Sequence, residues 1–191
     1  MVSKVEGGLI FEMCREPGLR EFHCYPSVAV LYSRDMTTSL EEDQAAPAFA
    51  ALTQDGDTVS LKELKGKSVV LYFYPKDDTP GCTTEACEFR DTWKKIQKKG
   101  AVLLGVSPDS VKSHGKFAKK FDLRFPLLAD EEKKIVQAYG VWGQKKFMGR
   151  SYLGVHRTTF LIGPDGKIQK IWTQVKAEGH AAEVLSALGG K

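Results

Sequence analysis

The chain has 191 residues, a formal net charge of +4, and 42% hydrophobic and 27% charged residues, which allows one globular domain with a full core. The lysines are scattered, with no basic stripe interleaved with aromatics, which argues against nucleic-acid binding. Four cysteines are too few for a disulfide scaffold, and no apolar run approaches the roughly 20 residues that span a bilayer as a helix.

Residues 1–35 show no lasting helix or strand period and carry Cys14 and Cys24. They read as an N-terminal extension, disordered or not native, because Met36-Thr37-Thr38-Ser39-Leu40 resembles an ordinary protein start. Glu6, Glu12, Glu16 and Glu21 argue against a transit peptide, and the expected compartment is the reducing cytoplasm. From residue 36 to 191 one domain is expected. Gln54-Asp55-Gly56-Asp57 is a hairpin turn. Val69–Tyr74 is a continuous apolar run, hence a central strand covered on both faces. Thr83 to about Lys98 is a helix with Phe89, Trp93 and Ile96 on one face, closed by Gly100. Val102–Ser107 is a second buried strand, Asp109-Ser110 opens another helix, and Phe125–Leu128 is a short extended segment. Asp130 caps a helix through Ile135, Val136 and Tyr139. Trp142 to Gly154, with Gly143, Gly149 and Gly154, reads as loop. Arg157–Ile162 and Ile168–Trp172 form a hairpin around Gly163-Pro164-Asp165-Gly166, and His180–Leu188 is an amphipathic closing helix. Alternating strand and helix followed by a hairpin and a terminal helix indicates a layered α/β domain of thioredoxin-like order, a mixed sheet flanked by helices.

The chemistry concentrates where the apolar strand meets the first helix. Pro75-Lys76-Asp77-Asp78-Thr79-Pro80-Gly81-Cys82 places a lone thiol at a helix N-terminus. The first helical N–H groups lack intrahelical partners and carry partial positive charge, which favours the thiolate, the nucleophilic form. The competing reading of Cys82 is a buried structural thiol. Thr79 offers a hydroxyl that can donate and accept at once, or is simply a turn residue. Arg157, at the start of a later strand, carries a permanent positive charge; if that strand end lies beside the helix, it acts on the same sulfur, and otherwise it is a solvated charge. Glu85 either orients that arginine or is an ordinary first-turn acid. Cys87 is either a second redox thiol or a small core residue. In an ideal helix the α-carbons of Cys82 and Cys87 stand roughly 8.6 Å apart, beyond the limit of about 7 Å for a disulfide, so a bond between them requires the helix start to unwind. His114, His156 and His180 are isolated and share no metal-ligand spacing, and there is no nucleotide-binding glycine motif.

The string Phe73-Tyr74-Pro75-Lys76-Asp77-Asp78-Thr79-Pro80-Gly81-Cys82-Thr83-Thr84-Glu85-Ala86-Cys87 resembles the active-site motif of peroxiredoxins, and of the peroxiredoxin Q, or bacterioferritin comigratory protein, subgroup in particular. Val106–Ser110, Tyr139–Gly143 and Arg157–Phe160 extend the resemblance from about Ala46 to Leu188. Ala46-Pro47-Ala48-Phe49 departs at Ala48 from the family's Ala-Pro-Asp-Phe. The resemblance implies a thioredoxin-like fold and a thiol peroxidase without metal or organic cofactor. It implies Cys82 as peroxidatic cysteine, Cys87 as resolving cysteine in an intramolecular Cys82–Cys87 disulfide, and Pro75, Thr79 and Arg157 as the rest of the site. Hydroperoxides as substrates, thioredoxin or a similar thiol as reductant, and a monomer are the further expectations. A thiol–disulfide oxidoreductase is the first rival, weakened by the absence of C-x-x-C and of a proline before Arg157-Thr158-Thr159. A redox-responsive, holdase-like binding protein is the second.

Overall fold

The apolar run after Lys67 forms strand β3 (Ser68–Phe73), the axis of a seven-stranded sheet. Its residues alternate between two cores: Val70 and Tyr72 pack on one face, Val69, Leu71 and Phe73 on the other, which is why the run carries no polar position. A computed structural model describes residues 38–147 and 149–189; the extension expected over residues 1–35, with Cys14 and Cys24, lies outside the described residues.

The described residues contain eight more strands: β1 (Ala50–Thr53), β2 (Thr58–Ser60), β4 (Ala101–Ser107), β5 (Leu127–Ala129), β6 (Trp142–Phe147), β7 (Arg150–Val155), β8 (Thr158–Ile162) and β9 (Ile168–Trp172). The large sheet has the order β2-β1-β5-β4-β3-β8-β9. Strand β3 runs parallel to β4 and antiparallel to β8, so the sheet is mixed. Helices α1 (Pro80–Lys98), α2 (Val111–Phe121) and α4 (His180–Ala187) supply Phe89, Ile96, Phe117 and Val184 to one core. Helix α3 (Lys134–Ala138) supplies Ile135 and Val136 to the other. The expected layered α/β domain is thus present. A close approach in β4 requires a glycine: a Cβ on Gly105 would lie 2.8 Å from the Tyr72 ring.

Three local readings change. Helix α1 begins at Pro80 rather than Thr83, which brings Cys82 into its first turn. Proline suits that position because the missing N–H would have had no helical partner. Helix α3 is short and its N-cap is Lys133; Asp130 still serves it from outside, its carboxylate accepting from the Val136 N–H at 2.8 Å. The segment expected to be a loop, Trp142 to Gly154, is instead the antiparallel pair β6–β7. Gly143 and Gly154 face each other across the pair, and Gly149 takes the turn with φ +76°. With Gln144, Lys146, Tyr152 and Leu153 all exposed, these strands lack the buried alternation that reveals a strand.

The turn between β3 and α1 is tied down from below. The buried Asp77 carboxylate accepts from the Tyr74 hydroxyl at 2.8 Å and from the Ser113 hydroxyl at 2.7 Å, and the ring of His114 stands 2.9 Å from it. The other ring nitrogen of His114 faces the Leu128 carbonyl at 3.2 Å. The Asp77 N–H donates to Asp109, which also accepts from Ser107. A buried polar cluster with its members paired holds one geometry, because any other leaves a polar group without water or partner. This cluster therefore anchors the turn to α2 and β4. His114→Ala should cost about 2–4 kcal/mol of stability in urea denaturation, whereas a loss within error of zero would show that the cluster does not hold the turn.

Candidate active site

Strand β3 ends at Phe73, the anchored turn covers residues 74–79, and α1 starts with Pro80, Gly81 and Cys82. Thr79 occupies the N-cap position but its side chain caps no helical N–H. Its hydroxyl donates instead to the Lys76 carbonyl at 3.0 Å, which leaves its oxygen lone pairs available. Cys82 is only 2% exposed and belongs to the core cluster that contains Tyr72, Tyr74 and Phe89.

Arg157 arrives from the chain just before β8, the strand next to β3. In the antiparallel register Phe73 pairs with Thr158, so the residue before β8 stands level with the chain leaving β3. The main chain there is held on both sides: the His156 N–H donates to the Val141 carbonyl, and the Val175 N–H donates to the Arg157 carbonyl. The guanidinium reaches across to α1. One terminal nitrogen donates to Cys82 Sγ at 3.3 Å, and the other pairs with Glu85 Oε2. Cys82 and Glu85 are three residues apart in one helix and so share a face. The planar guanidinium has a fork of donors and can hold both at once.

This charge cluster is shielded from water: the Arg157 side chain is 15% exposed and that of Glu85 is fully buried. Burial pushes the Glu85 carboxyl up to about 7, against the pull of Arg157 in the opposite direction. Burial also works against the charge on Arg157, but Glu85 and Cys82 outweigh it and the guanidinium is held more firmly protonated than usual. Glu85 Oε1 and the Tyr72 hydroxyl are the buried side-chain polar atoms without a partner among the described residues. Desolvation and the neighbouring Glu85 keep that phenol neutral.

The other expected site residues lie around this centre. Pro75 is half-buried and borders a groove of about 350 Å³, shared with Trp142, Lys145, Tyr152 and Val155. Cys87 is half-buried in the same unbroken helix as Cys82, and both thiols are free. The cluster of Asp77, Asp109 and His114 escaped sequence reasoning. Its one visible signal was an acidic residue inside the Pro75–Cys82 motif, and His114 carries no local mark of its partner 37 residues away. His180 is likewise a core residue, with its ring 2.8 Å from the Thr159 hydroxyl. Among the described residues no group of three His, Cys, Asp or Glu is placed to hold a metal ion.

The AhpC/TSA family matches residues 43–171. The peroxiredoxin Bcp of Bacillus subtilis is 49% identical over 150 residues, which cover 78% of this chain and 96% of that protein. A structure of Xanthomonas campestris peroxiredoxin Q superposes with a TM-score of 0.73 at 41% identity, over 80% of this chain and 96% of the other. A structure of the Xanthomonas campestris bacterioferritin comigratory protein, from work on its alkyl peroxide reduction activity, does so with a TM-score of 0.73 at 40% identity, over 80% and 98%. A thiol at a helix start under a guanidinium, in a fold and sequence shared along nearly the full length of these relatives, leads to one family: the chain belongs to the AhpC/TSA family, as a peroxiredoxin, that is a thiol peroxidase, of the Bcp or Q type.

Proposed function

We propose that Cys82 is the peroxidatic cysteine, Cys87 the resolving cysteine, Thr79 and Arg157 the groups that position and stabilise the reacting oxygens, and Pro75 the residue that shields the sulfur from surplus solvent, with Glu85 orienting Arg157. The observation that carries this is the Arg157 guanidinium bonded to both Cys82 Sγ and Glu85. Residues 36–191 constitute the catalytic domain, of which the family match covers residues 43–171.

The Cys82 thiolate attacks the nearer oxygen of a hydroperoxide. The S–O bond forms as the O–O bond breaks; sulfur is oxidised to sulfenic acid, and the departing oxygen leaves as water or alcohol once protonated. Negative charge moves from sulfur to that oxygen. Arg157, already at 3.3 Å from the sulfur, faces the charge at the start of the path, and fixed donors of this kind act without reorganisation. Thr79 joins when its hydroxyl turns from the Lys76 carbonyl to the bound oxygen. Pro75 limits water at the site. Hydrogen peroxide and organic hydroperoxides are the proposed substrates; the groove beside Pro75 and the alkyl peroxide reduction of the Xanthomonas relative support the organic class.

Cys87 then attacks the Cys82 sulfur; an S–S bond forms and the sulfenic oxygen leaves as water. A dithiol reductant such as thioredoxin restores both thiols. The protein acts as a monomer in the cytoplasm, and among the described residues no helix is long and apolar enough to cross a membrane. Because α1 is continuous through both cysteines, the disulfide forms only after its first turns unwind.

Peroxide consumption by the reduced protein should vanish in Cys82→Ser, while Cys87→Ser should keep one stoichiometric burst and lose turnover with thioredoxin. Normal cycling by Cys87→Ser would remove Cys87 from its role. Oxidation with one equivalent of peroxide should raise amide hydrogen exchange between Gly81 and Phe89; an intact helix containing a Cys82–Cys87 bond would contradict the mechanism.

Glu85 makes this unwinding depend on pH. Its carboxyl is held at about 7 when buried, against an ordinary 4.5 when released. Below 4.5 it is neutral in both states and the helix start keeps its full stability. Between 4.5 and 7 the unwound state gains by ionising, and above 7 the loss is complete. Opening of α1, followed by hydrogen exchange corrected for intrinsic rate, should become easier by up to about two powers of ten across that window. Glu85→Gln should flatten the dependence, and an unchanged slope in that variant would assign it to another group.

A further inference from the structure

The β6–β7 hairpin carries one half-buried cation that the mechanism above does not use. Lys145 lies on β6 opposite Tyr152 of β7. Its side chain is half-buried, and its ammonium donates to the Val155 carbonyl at 3.1 Å, two residues before Arg157. Gly154 makes this path possible: a Cβ there would come within 3.2 Å of the Lys145 stem and 3.3 Å of the Tyr152 ring. With Pro75, Trp142 and Val155, Lys145 lines the groove beside the peroxidatic turn. Its neighbours on the hairpin, Lys146 and Arg150, are exposed, as basic residues on such a strand usually are. Lys145 alone of the three is drawn inward.

A lysine in this position pays desolvation without the usual compensation. It forms no ion pair with a carboxylate among the described residues. Burial lowers its affinity for a proton, Arg157 lowers it further, and the Cys82 sulfur opposes both. The charged groups in play are thus Cys82, Arg157 and, paired to Arg157, Glu85, with Lys76 and Asp109 on the groove wall. Asp109 is already committed to the Asp77 N–H and the Ser107 hydroxyl.

We propose that Lys145 is a positioning residue of the peroxidatic centre, which fixes the main chain that presents Arg157 and adds a second positive charge to the groove beside the peroxidatic turn. Both effects favour negative charge on the Cys82 sulfur, through the guanidinium it steadies and through its own field across a partly desolvated gap. This rests on the reading of Cys82 as the reacting thiol.

The test compares Lys145→Met, Lys145→Arg and, as an exposed control, Lys146→Met. The readouts are the rate of Cys82 alkylation by iodoacetamide at pH 6, resolved by peptide mass spectrometry, and the single-turnover peroxide burst. Lys145→Met should slow alkylation about three- to tenfold and slow the burst in parallel. Lys145→Arg should recover to within about twofold of the wild type, because charge and carbonyl bond are both retained. Lys146→Met should match the wild type. Alkylation of Lys145→Met at the wild-type rate overturns the proposal. So does equal loss in the Met and Arg variants with melting temperatures unchanged, since the charge would then be irrelevant. If Lys145→Met melts far below the wild type, Lys145→Gln and the wild type titrated with salt replace it: a rate unmoved in both overturns the proposal, and a slowed rate in both supports it. Failure of the underlying reading has a separate signature, persistence of the peroxide burst in Cys82→Ser.

Discussion

A single guanidinium divided between a sulfur and a carboxylate organises this molecule. Arg157 lies 75 residues from Cys82 in the chain, and nothing local holds the two together. Placing charge in a nearly dry site is costly, and replacing such a pair by apolar side chains is often neutral or stabilising. Its presence here is therefore explained by chemistry rather than by stability. In the proposed mechanism the sulfur needs a positive neighbour before peroxide arrives, and the neighbour needs a partner behind it to stay in place. Glu85, whose buried carboxyl ionises near neutrality, supplies that partner from the same helix face as Cys82, so the helix would deliver the nucleophile and the counterweight as one unit.

That helix has two incompatible duties. It must present Cys82 at its first turn, where the unpaired N–H groups and the dipole help a negative sulfur. In the proposed cycle it must also let go, because Cys87 five residues on cannot reach Cys82 along an intact helix. The architecture separates the two duties by place. The turn before the helix is fastened to α2 and β4 through Asp77, His114 and Asp109, and Phe89 and Ile96 lock the later turns into the core. The stretch between carries the Arg157–Glu85–Cys82 contacts, with Cys82 and Ala86 packed in the core. In that proposed cycle, oxidation to the sulfenic acid would leave the sulfur neutral and weaken one of the contacts that keep the segment closed. The same atoms would thus hold the reduced state and release the oxidised one.

The β6–β7 hairpin adds a second layer of control. It projects as a separate two-stranded sheet, yet its last strand leads directly into Arg157. Tyr152 and Leu153 are exposed large hydrophobic residues among the described ones, and Lys145, opposite Tyr152, turns back to the main chain. An element with little core of its own therefore sets the approach of the guanidinium and one wall of the groove beside Pro75.

Much of this was readable from local pattern. The apolar run Val69–Tyr74, the Pro-Gly turn and the following amphipathic helix are all encoded within a few residues, so the strand–turn–thiol–helix unit and the α/β class follow from propensity and period. The distance argument for unwinding likewise needs only helix geometry. The hairpin was hidden because both its faces are wet and glycines face each other at its base, which leaves neither alternation nor bulk to read. The contacts that matter most were beyond any local window. Whether Arg157 meets Cys82 depends on β3 pairing with β8 in one register, His114 finds Asp77 only when α2 packs beneath the turn, and Glu85 titrates near neutrality only because the fold buries it. Pattern along a chain reports which surfaces seek burial; which charges meet, and in how dry a place, is decided by strand order and packing, and tertiary structure alone contains that.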